Sequence, residues 1–183
     1  MEYSVFTKFG EFEYYNPEIA DQSMKEIMKD VELALTSRGN WEEKTEDIMK
    51  KEIKEGDTVV DIGASIGYFT LLMAKLVGPS GTVYSFEPTS NQFFYLYNNI
   101  KQNGFKDRVR SFPIAASDTD GSLRIQCNAC SPDLVASRIL DNILPEKVDF
   151  IKMDVDGSEP RALRGLLKTI KSNKNLKMII EYI

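Results

Sequence analysis

The chain alternates short apolar runs with longer stretches whose apolar residues recur every three or four positions, a pattern of strands feeding helices. Thr58, Val59, Val60 and Ile62 enclose Asp61 and predict a short buried strand. Gly63 and Gly67 bracket a tight turn, after which Phe69, Leu72, Met73 and Leu76 fall at helical spacing. Thr82 to Phe86 predicts a second strand, with Glu87 directly after it. Phe93, Leu96, Tyr97 and Ile100 predict the inward face of a helix, capped by Thr89 or Ser90 and closed by Gly104. Arg108 to Ala115 reads as a third strand ending in Ala115-Ala-Ser-Asp118, and Gly121 turns the chain into a strand over Ser122 to Cys127 that continues as a hairpin. Residues 128–147 are less regular, with a short helix at Leu140 to Leu144. Val148 to Met153 predicts the fourth strand, Ser158 to Ser172 a helix, and Lys177 to Ile183 a fifth strand. This rhythm implies an α/β fold with a mainly parallel sheet and right-handed crossovers.

The N-terminal part carries no signature of its own. Residues 3 to 15 alternate around Gly10 and suggest a hairpin or arm. Pro17 opens a helix with Met24, Ile27, Met28, Val31 and Leu35 on one stripe, ended by Gly39. A second helix, Trp41 to Lys54, turns Ile48, Met49 and Ile53 inward. Residues 1–55 are therefore expected to cover one end of the sheet, and residues 56–183 to form the main unit of one compact domain.

Strand, glycine turn, helix, strand, acid is how an α/β domain holds the ribose and adenine end of a nucleotide-like cofactor. The glycines let the backbone pass close to the ligand, and an acid at position 87 accepts hydrogen bonds from two ribose hydroxyls. A dinucleotide fingerprint places three glycines as G-x-G-x-x-G to seat a pyrophosphate on a helix N-terminus. Here the spacing is Asp61-x-Gly63-x-x-x-Gly67.

Composition narrows the chemistry. With 183 residues and 42% hydrophobic content, the chain has room for one sizeable core. A formal net charge of -5 disfavours a phosphate-backbone partner, so no nucleic acid is expected. No run of 18 apolar residues and no charged-then-apolar leader occur, so no membrane association and a cytoplasmic location are expected. The chain has no histidine, which removes the commonest general base and every histidine metal site. Cys127 and Cys130 lack the further ligands that a zinc site needs and read as small residues at a strand end; no metal is expected.

The segment Val60-Asp-Ile-Gly-Ala-Ser-Ile-Gly-Tyr-Phe-Thr70 resembles the first motif of the class I S-adenosylmethionine-dependent methyltransferases. Adding Phe86-Glu-Pro88 with Leu96, Asn99 and Asn103, then Ala116-Ser-Asp118 with Gly121, Leu140-Asp141, and Phe150-Ile-Lys-Met-Asp-Val-Asp-Gly157 with Glu159, the chain resembles the FkbM-type methyltransferases over residues 40–183. That group is known for methylating hydroxyl oxygens. It usually has glutamate where this chain has Asp156, which draws the carboxylate back by about 1.5 Å.

The resemblance implies a Rossmann-like methyltransferase sheet with flanking helices and S-adenosyl-L-methionine as cofactor. Asp61, Gly63 and Gly67 would line its methionine part, with Ala64 and Ser65 offering backbone donors and Glu87 taking the ribose hydroxyls. Asp118, or the backbone around Ala116 and Ser117, would meet the adenine edge. Asp154 would face the reacting centre, and Asp154 with Asp156 are the carboxylates placed to take a proton from a hydroxyl acceptor, a small molecule or sugar. Asp156 and Glu159 would orient the acceptor or ligate a cation, or else cap the next helix. Asp118 would alternatively only start the turn toward Gly121. Lys152 is placed to pair with a neighbouring acid, and Asn99 and Asn103 to fix the packing of their helix. The chain lacks the Asn/Asp-Pro-Pro-aromatic signature of amide and base methylases. Class I sheets usually continue past the fifth strand, which here is followed by no further strand pattern; that implies an exposed edge suited to self-association. A non-catalytic cofactor-binding or assembly module and a nicotinamide-dependent oxidoreductase are the alternative readings.

Overall fold

A computed structural model describes residues 42–125 and 133–181, and the backbone of residues 3–7 and 10–14. The helix expected from Pro17, both cysteines and the last two residues lie outside the described residues. The expected N-terminal hairpin is present as antiparallel strands β1 (Tyr3–Thr7) and β2 (Gly10–Tyr14).

Strands β3 (Thr58–Ile62), β4 (Thr82–Phe86), β5 (Val109–Phe112), β9 (Phe150–Met153) and β10 (Lys177–Ile180) form the central sheet. Every pairing in it is parallel, in the order β10-β9-β3-β4-β5. The order reverses at β3, which lies between β9 and β4, and open sheets of this kind bind ligands beyond the carboxyl ends of the strands at such a switch.

The strands read as near-continuous apolar runs because both faces are covered. On one face Val59, Val83, Val109 and Phe150 pack beneath α1 (Glu43–Glu52), α2 (Tyr68–Leu76) and α3 (Ser90–Gln102). On the other, Val60, Ile62, Tyr84, Phe86, Ile151 and Met153 meet Leu140, Val148, Ala162 and Leu166. Alternate residues therefore feed opposite layers, as the pleat requires. The expected Rossmann-like sheet with flanking helices is what the structure contains.

Three expectations need correction. The third strand is broken: Pro113 ends β5, the Ile114 N–H bonds back to the Phe112 carbonyl at 3.0 Å, and β6 (Ala115–Ala116) joins a separate small sheet of order β6-β8-β7. That sheet contains a strand, β8 (Asp133–Arg138), in the stretch expected to be irregular; it pairs antiparallel with β7 (Gly121–Ile125). The helix expected over Ser158 to Ser172 is two, α4 (Glu159–Arg164) and α5 (Leu167–Ser172). They part at Gly165, where an added Cβ would sit 2.0 Å from the Ser117 carbonyl oxygen, so the loop after β6 occupies the side-chain space. Asp141, in a short 3-10 turn (Leu140–Asn142), accepts from the Lys168 and Thr169 N–H groups at 2.7 and 2.8 Å and closes the start of α5.

Two helix faces are also turned from the expected register. In α1, Met49 and Ile53 are buried but Ile48 is 46% exposed, because Glu46 takes the inward position and accepts a hydrogen bond from the Tyr68 hydroxyl. In α3, Tyr95 is buried and Tyr97 is 44% exposed. Truncating adjacent residues of α1 should separate the two registers. Met49→Ala should cost about 2–5 kcal/mol, whereas Ile48→Ala should change stability by no more than about 0.5 kcal/mol, both read from urea denaturation.

Candidate functional site

The carboxyl ends of β3, β4 and β9 converge on the turn between β3 and α2. Gly63 has a φ of 80°, and a Cβ there would lie 1.7 Å from the Asp154 carbonyl oxygen, so the turn packs directly on the end of β9. No side chain fits that gap without moving backbone. The Gly63 and Ala64 N–H groups both donate to the Phe86 carbonyl at 3.0 Å, which locks the turn to the end of β4. Gly67, at φ 96°, begins α2 and lies against Leu96. Asn99 donates from Nδ2 to the Ile66 carbonyl at 2.7 Å, and Asn103 donates to the Asn99 carbonyl; both thus serve the packing role expected of them.

Glu87 sits just past β4 and is buried. Its Oε2 accepts from the Ser65 N–H at 2.9 Å, and its Oε1 accepts from the Thr89 N–H at 2.9 Å and the Thr89 hydroxyl at 2.6 Å. Thr89 was expected to cap α3, but it makes no side-chain cap; its hydroxyl is drawn to the carboxylate instead. Burial pushes the Glu87 carboxyl above its ordinary range, against the pull of the Thr89 and Ser65 donors. A carboxylate offers about four acceptor positions, so Oε2 retains one for a ligand hydroxyl.

The expected backbone donors of the turn are committed. Ala64 donates to Phe86 and Ser65 donates to Glu87, so neither N–H is held open for a ligand.

Asp61 lies beneath the turn with no exposed surface. Its Oδ2 accepts from the Thr70 hydroxyl at 2.6 Å, and Thr70 Oγ1 is 2.9 Å from Ser85 Oγ. Among the described residues its Oδ1 has no hydrogen-bond partner. Desolvation pushes the carboxyl up, opposed by the nearby Lys152 ammonium and the Thr70 hydroxyl. Lys152 is buried, and its Nζ lies 3.2 Å from Asp154 Oδ2 and 4.8 Å from the Phe69 ring centroid.

Asp154 follows β9, with its side chain 28% exposed. The Asp156 side chain is exposed, and its backbone has a φ of 49°, unusual outside glycine. Glu159 is buried and its Oε1 accepts from the Gly157 N–H at 3.1 Å and the Val155 N–H at 3.3 Å, tying down the loop that carries Asp156. Asp154, Asp156 and Glu181 gather at this end of the sheet; the Asp154 charge is the main reason that the Glu181 carboxyl is pushed up. Among the described residues, no group of three or more His, Cys, Asp or Glu is arranged to hold a metal ion.

The structure thus brings Asp61, Gly63, Ala64, Ser65, Gly67, Glu87 and Asp154 together. Ser117 is buried, its N–H bonded to the Arg138 carbonyl. Asp118 is turned to α4, where Arg164 donates at 2.8 Å and Arg161 lies at 3.7 Å. The Arg164 bond holds its carboxyl below the usual range. That carboxylate is already taken, which leaves backbone as what this loop can offer an adenine edge. Sequence reasoning missed Thr89 and Thr70 as the holders of Glu87 and Asp61. Their hydroxyls stand two and nine residues from those acids, a spacing with no regular signal.

The Asp61 environment has a testable pH signature. Its raised pKa means that the folded protein holds this proton more tightly than the unfolded chain does. The stability this confers is full below the ordinary value of about 4 and is lost as the pH rises through the raised one. Relative to Asp61→Asn, the wild type should therefore lose stability as the pH climbs from about 4, read by denaturant titrations at several pH values.

The comparisons agree with this geometry. The tRNA(Phe) (4-demethylwyosine(37)-C(7)) aminocarboxypropyltransferase of Methanocaldococcus jannaschii is 37% identical over 95 residues, 52% of this chain and 36% of that protein. The 31-O-demethyl-FK506 methyltransferase FkbM of Streptomyces tacrolimicus is 33% identical over 112 residues, 57% of this chain and 42% of that protein. The chain thus spans less than half the length of either relative. A crystal structure of a SAM dependent methyltransferase from Aquifex aeolicus shares the fold, with a TM-score of 0.53 at 20% identity, over 88% of this chain and 72% of that one. The description "Methyltransferase FkbM domain" matches residues 61–183, two thirds of the sequence and all of the crevice. The family's cofactor is S-adenosylmethionine, and the buried acid after β4 fits it. The chain belongs to the FkbM methyltransferase domain family.

Proposed function

We propose that this domain transfers a methyl group from S-adenosylmethionine to a hydroxyl oxygen of a small molecule or sugar. The observation that carries the reading is Glu87, a buried carboxylate at the end of β4 whose Oε2 keeps an acceptor position beside the glycine turn. The relative from Streptomyces tacrolimicus, whose name specifies an O-demethyl acceptor, supports oxygen as the target. The cofactor supplies an already activated methyl group. What the chain adds is positioning, since holding acceptor and donor in line accounts for much of such an acceleration.

In this reading Glu87 accepts from a ribose hydroxyl through Oε2, and the turn from Gly63 to Gly67 lies under the methionine part. Asp154 and Asp156 stand at the reacting end, where a carboxylate takes the proton of an acceptor hydroxyl. Ser117 and the backbone at Asp118 face the adenine. The glycine spacing Gly63-x-x-x-Gly67, rather than G-x-G-x-x-G, counts against a nicotinamide dinucleotide.

Calorimetry with S-adenosylhomocysteine and with NAD tests the cofactor. Binding of S-adenosylhomocysteine is expected, weakened about 100-fold in Glu87→Ala, since a hydrogen bond to a charged acceptor is lost. Because the Glu87 carboxyl is raised, lowering the pH should begin to weaken binding while still above the usual carboxylate range. Stabilisation by NAD alone would overturn the reading. Transfer of labelled methyl to a panel of sugar and polyketide hydroxyls tests the acceptor; transfer only to nitrogen or carbon would overturn oxygen as the target, and binding without any transfer would favour the non-catalytic module.

Two further expectations stand as proposals. Among the described residues β10 pairs only with β9, and Ile180 is 37% exposed, which suits self-association through that edge; a monomeric mass by light scattering would count against it. No described helix is long and apolar enough to cross a membrane, which is compatible with the cytoplasmic location proposed.

A further inference from the structure

We propose that Lys152 is a positioning residue whose buried ammonium fixes the Asp154 carboxylate at the reacting end of the crevice. This deepens the function proposed above and rests on its placement of Asp154.

Lys152 lies in the middle of the sheet, on β9, with Asp61 of β3 beside it in register and Ile179 of β10 on the other side. Its side chain is 6% exposed. An ammonium in such a place is costly unless paired, and the fold retains it where any apolar residue would pack. Three carboxylates are near enough to feel it, Asp61 and Asp154 and, past the end of β10, Glu181. Asp61, its register partner, is the most deeply buried and has one oxygen without a hydrogen-bond partner among the described residues. A lysine serving only to neutralise the core would bond that oxygen. Lys152 instead reaches along its own strand to Asp154 Oδ2 at 3.2 Å, its one hydrogen bond among the described residues.

Phe69 completes the arrangement from above. Its ring lies 4.8 Å from Nζ, so α2 closes the ammonium off and favours it through the ring face. The consequence falls on Asp154, whose side chain is part-exposed and otherwise would sample several rotamers. With Oδ2 held from within the sheet, Oδ1 is left for a ligand. The backbone of the same residue is fixed too, its N–H bonded to the Ile62 carbonyl at 3.0 Å and its carbonyl oxygen against Gly63. Side chain and main chain of Asp154 are thus tied separately, one to Lys152 and one to the cofactor-binding turn.

The test compares wild type, Lys152→Met, Lys152→Arg, Asp154→Asn and the Lys152→Met/Asp154→Asn pair. Lys152→Met should keep S-adenosylhomocysteine affinity within about 3-fold, a shift of about 0.6 kcal/mol. Its kcat on the hydroxyl panel should fall about 100-fold, the scale for a displaced reacting group. Lys152→Arg should recover part of the loss. The pair should be no slower than Asp154→Asn alone, because Lys152 acts only through that carboxylate. Crystals of wild type and variant give a readout free of turnover: Asp154 in one position in the former, displaced or multiple in the latter, with the Gly63 turn unchanged. If Lys152→Met does not fold, Lys152→Arg carries the comparison, moving Asp154 alone and changing nothing in the Asp154→Asn background. An unmoved Asp154, an unchanged kcat, or losses that add in the pair would overturn the proposal. A wild type that fails to bind S-adenosylhomocysteine would overturn the proposed function instead, while the crystals still judge the Lys152–Asp154 link.

Discussion

Contact between the turn after β3 and the end of β9 is the constraint on which the rest of this fold depends. The Asp154 carbonyl fills the space in which residue 63 would carry a Cβ, so the two strands are drawn together at their carboxyl ends. That closeness sets the register of Asp61 against Lys152 and brings the start of α2 over the sheet. The crevice is built from main chain held at van der Waals limits rather than from long side chains. Geometry of this kind tolerates little relaxation, as expected of close-packed interiors.

A layer of polar groups lies between that turn and the apolar core. Asp61, Ser85 and Lys152 on the sheet and Thr70 of α2 above them meet in this layer, and all are buried. Burying them costs free energy that hydrogen bonds only partly return. The apolar packing above and below, from Val59 and Phe150 to Leu72 and Met73, is what offsets it. Glu87 extends the layer across the end of β4 and is itself held by Ser65 and Thr89. The acid and the turn are therefore one unit, each restraining the other.

Most of the parallel sheet was legible because its strands announce themselves as apolar runs between helical repeats, and Glu87 because an acid after the second strand has a known chemical use. What could not be read depends on tertiary competition. Helical spacing puts Glu46, three residues before Met49 and seven before Ile53, on the buried stripe, but apolarity points to Ile48; the Tyr68 hydroxyl across the interface gives the buried acid its partner. β8 has no alternation strong enough to stand out and exists as a strand because β7 and β6 flank it. Asp118 looked available for adenine; two arginines from α4, more than forty residues away, claim its carboxylate. The donors of Ala64 and Ser65 were read as open because the sequence cannot say that Phe86 and Glu87 already accept from them.

The bond from Asp141 to the first N–H groups of α5 joins two regions that the chain order keeps apart. The segment linking β8 to β9 cannot swing outward without leaving Lys168 and Thr169 unsatisfied, and α5 cannot fray at its start without releasing Asp141. The two belong to one cooperative opening unit, whose protection against exchange rises and falls together. Any outward motion of the segment between β8 and β9 must therefore draw on the folding energy of that helix.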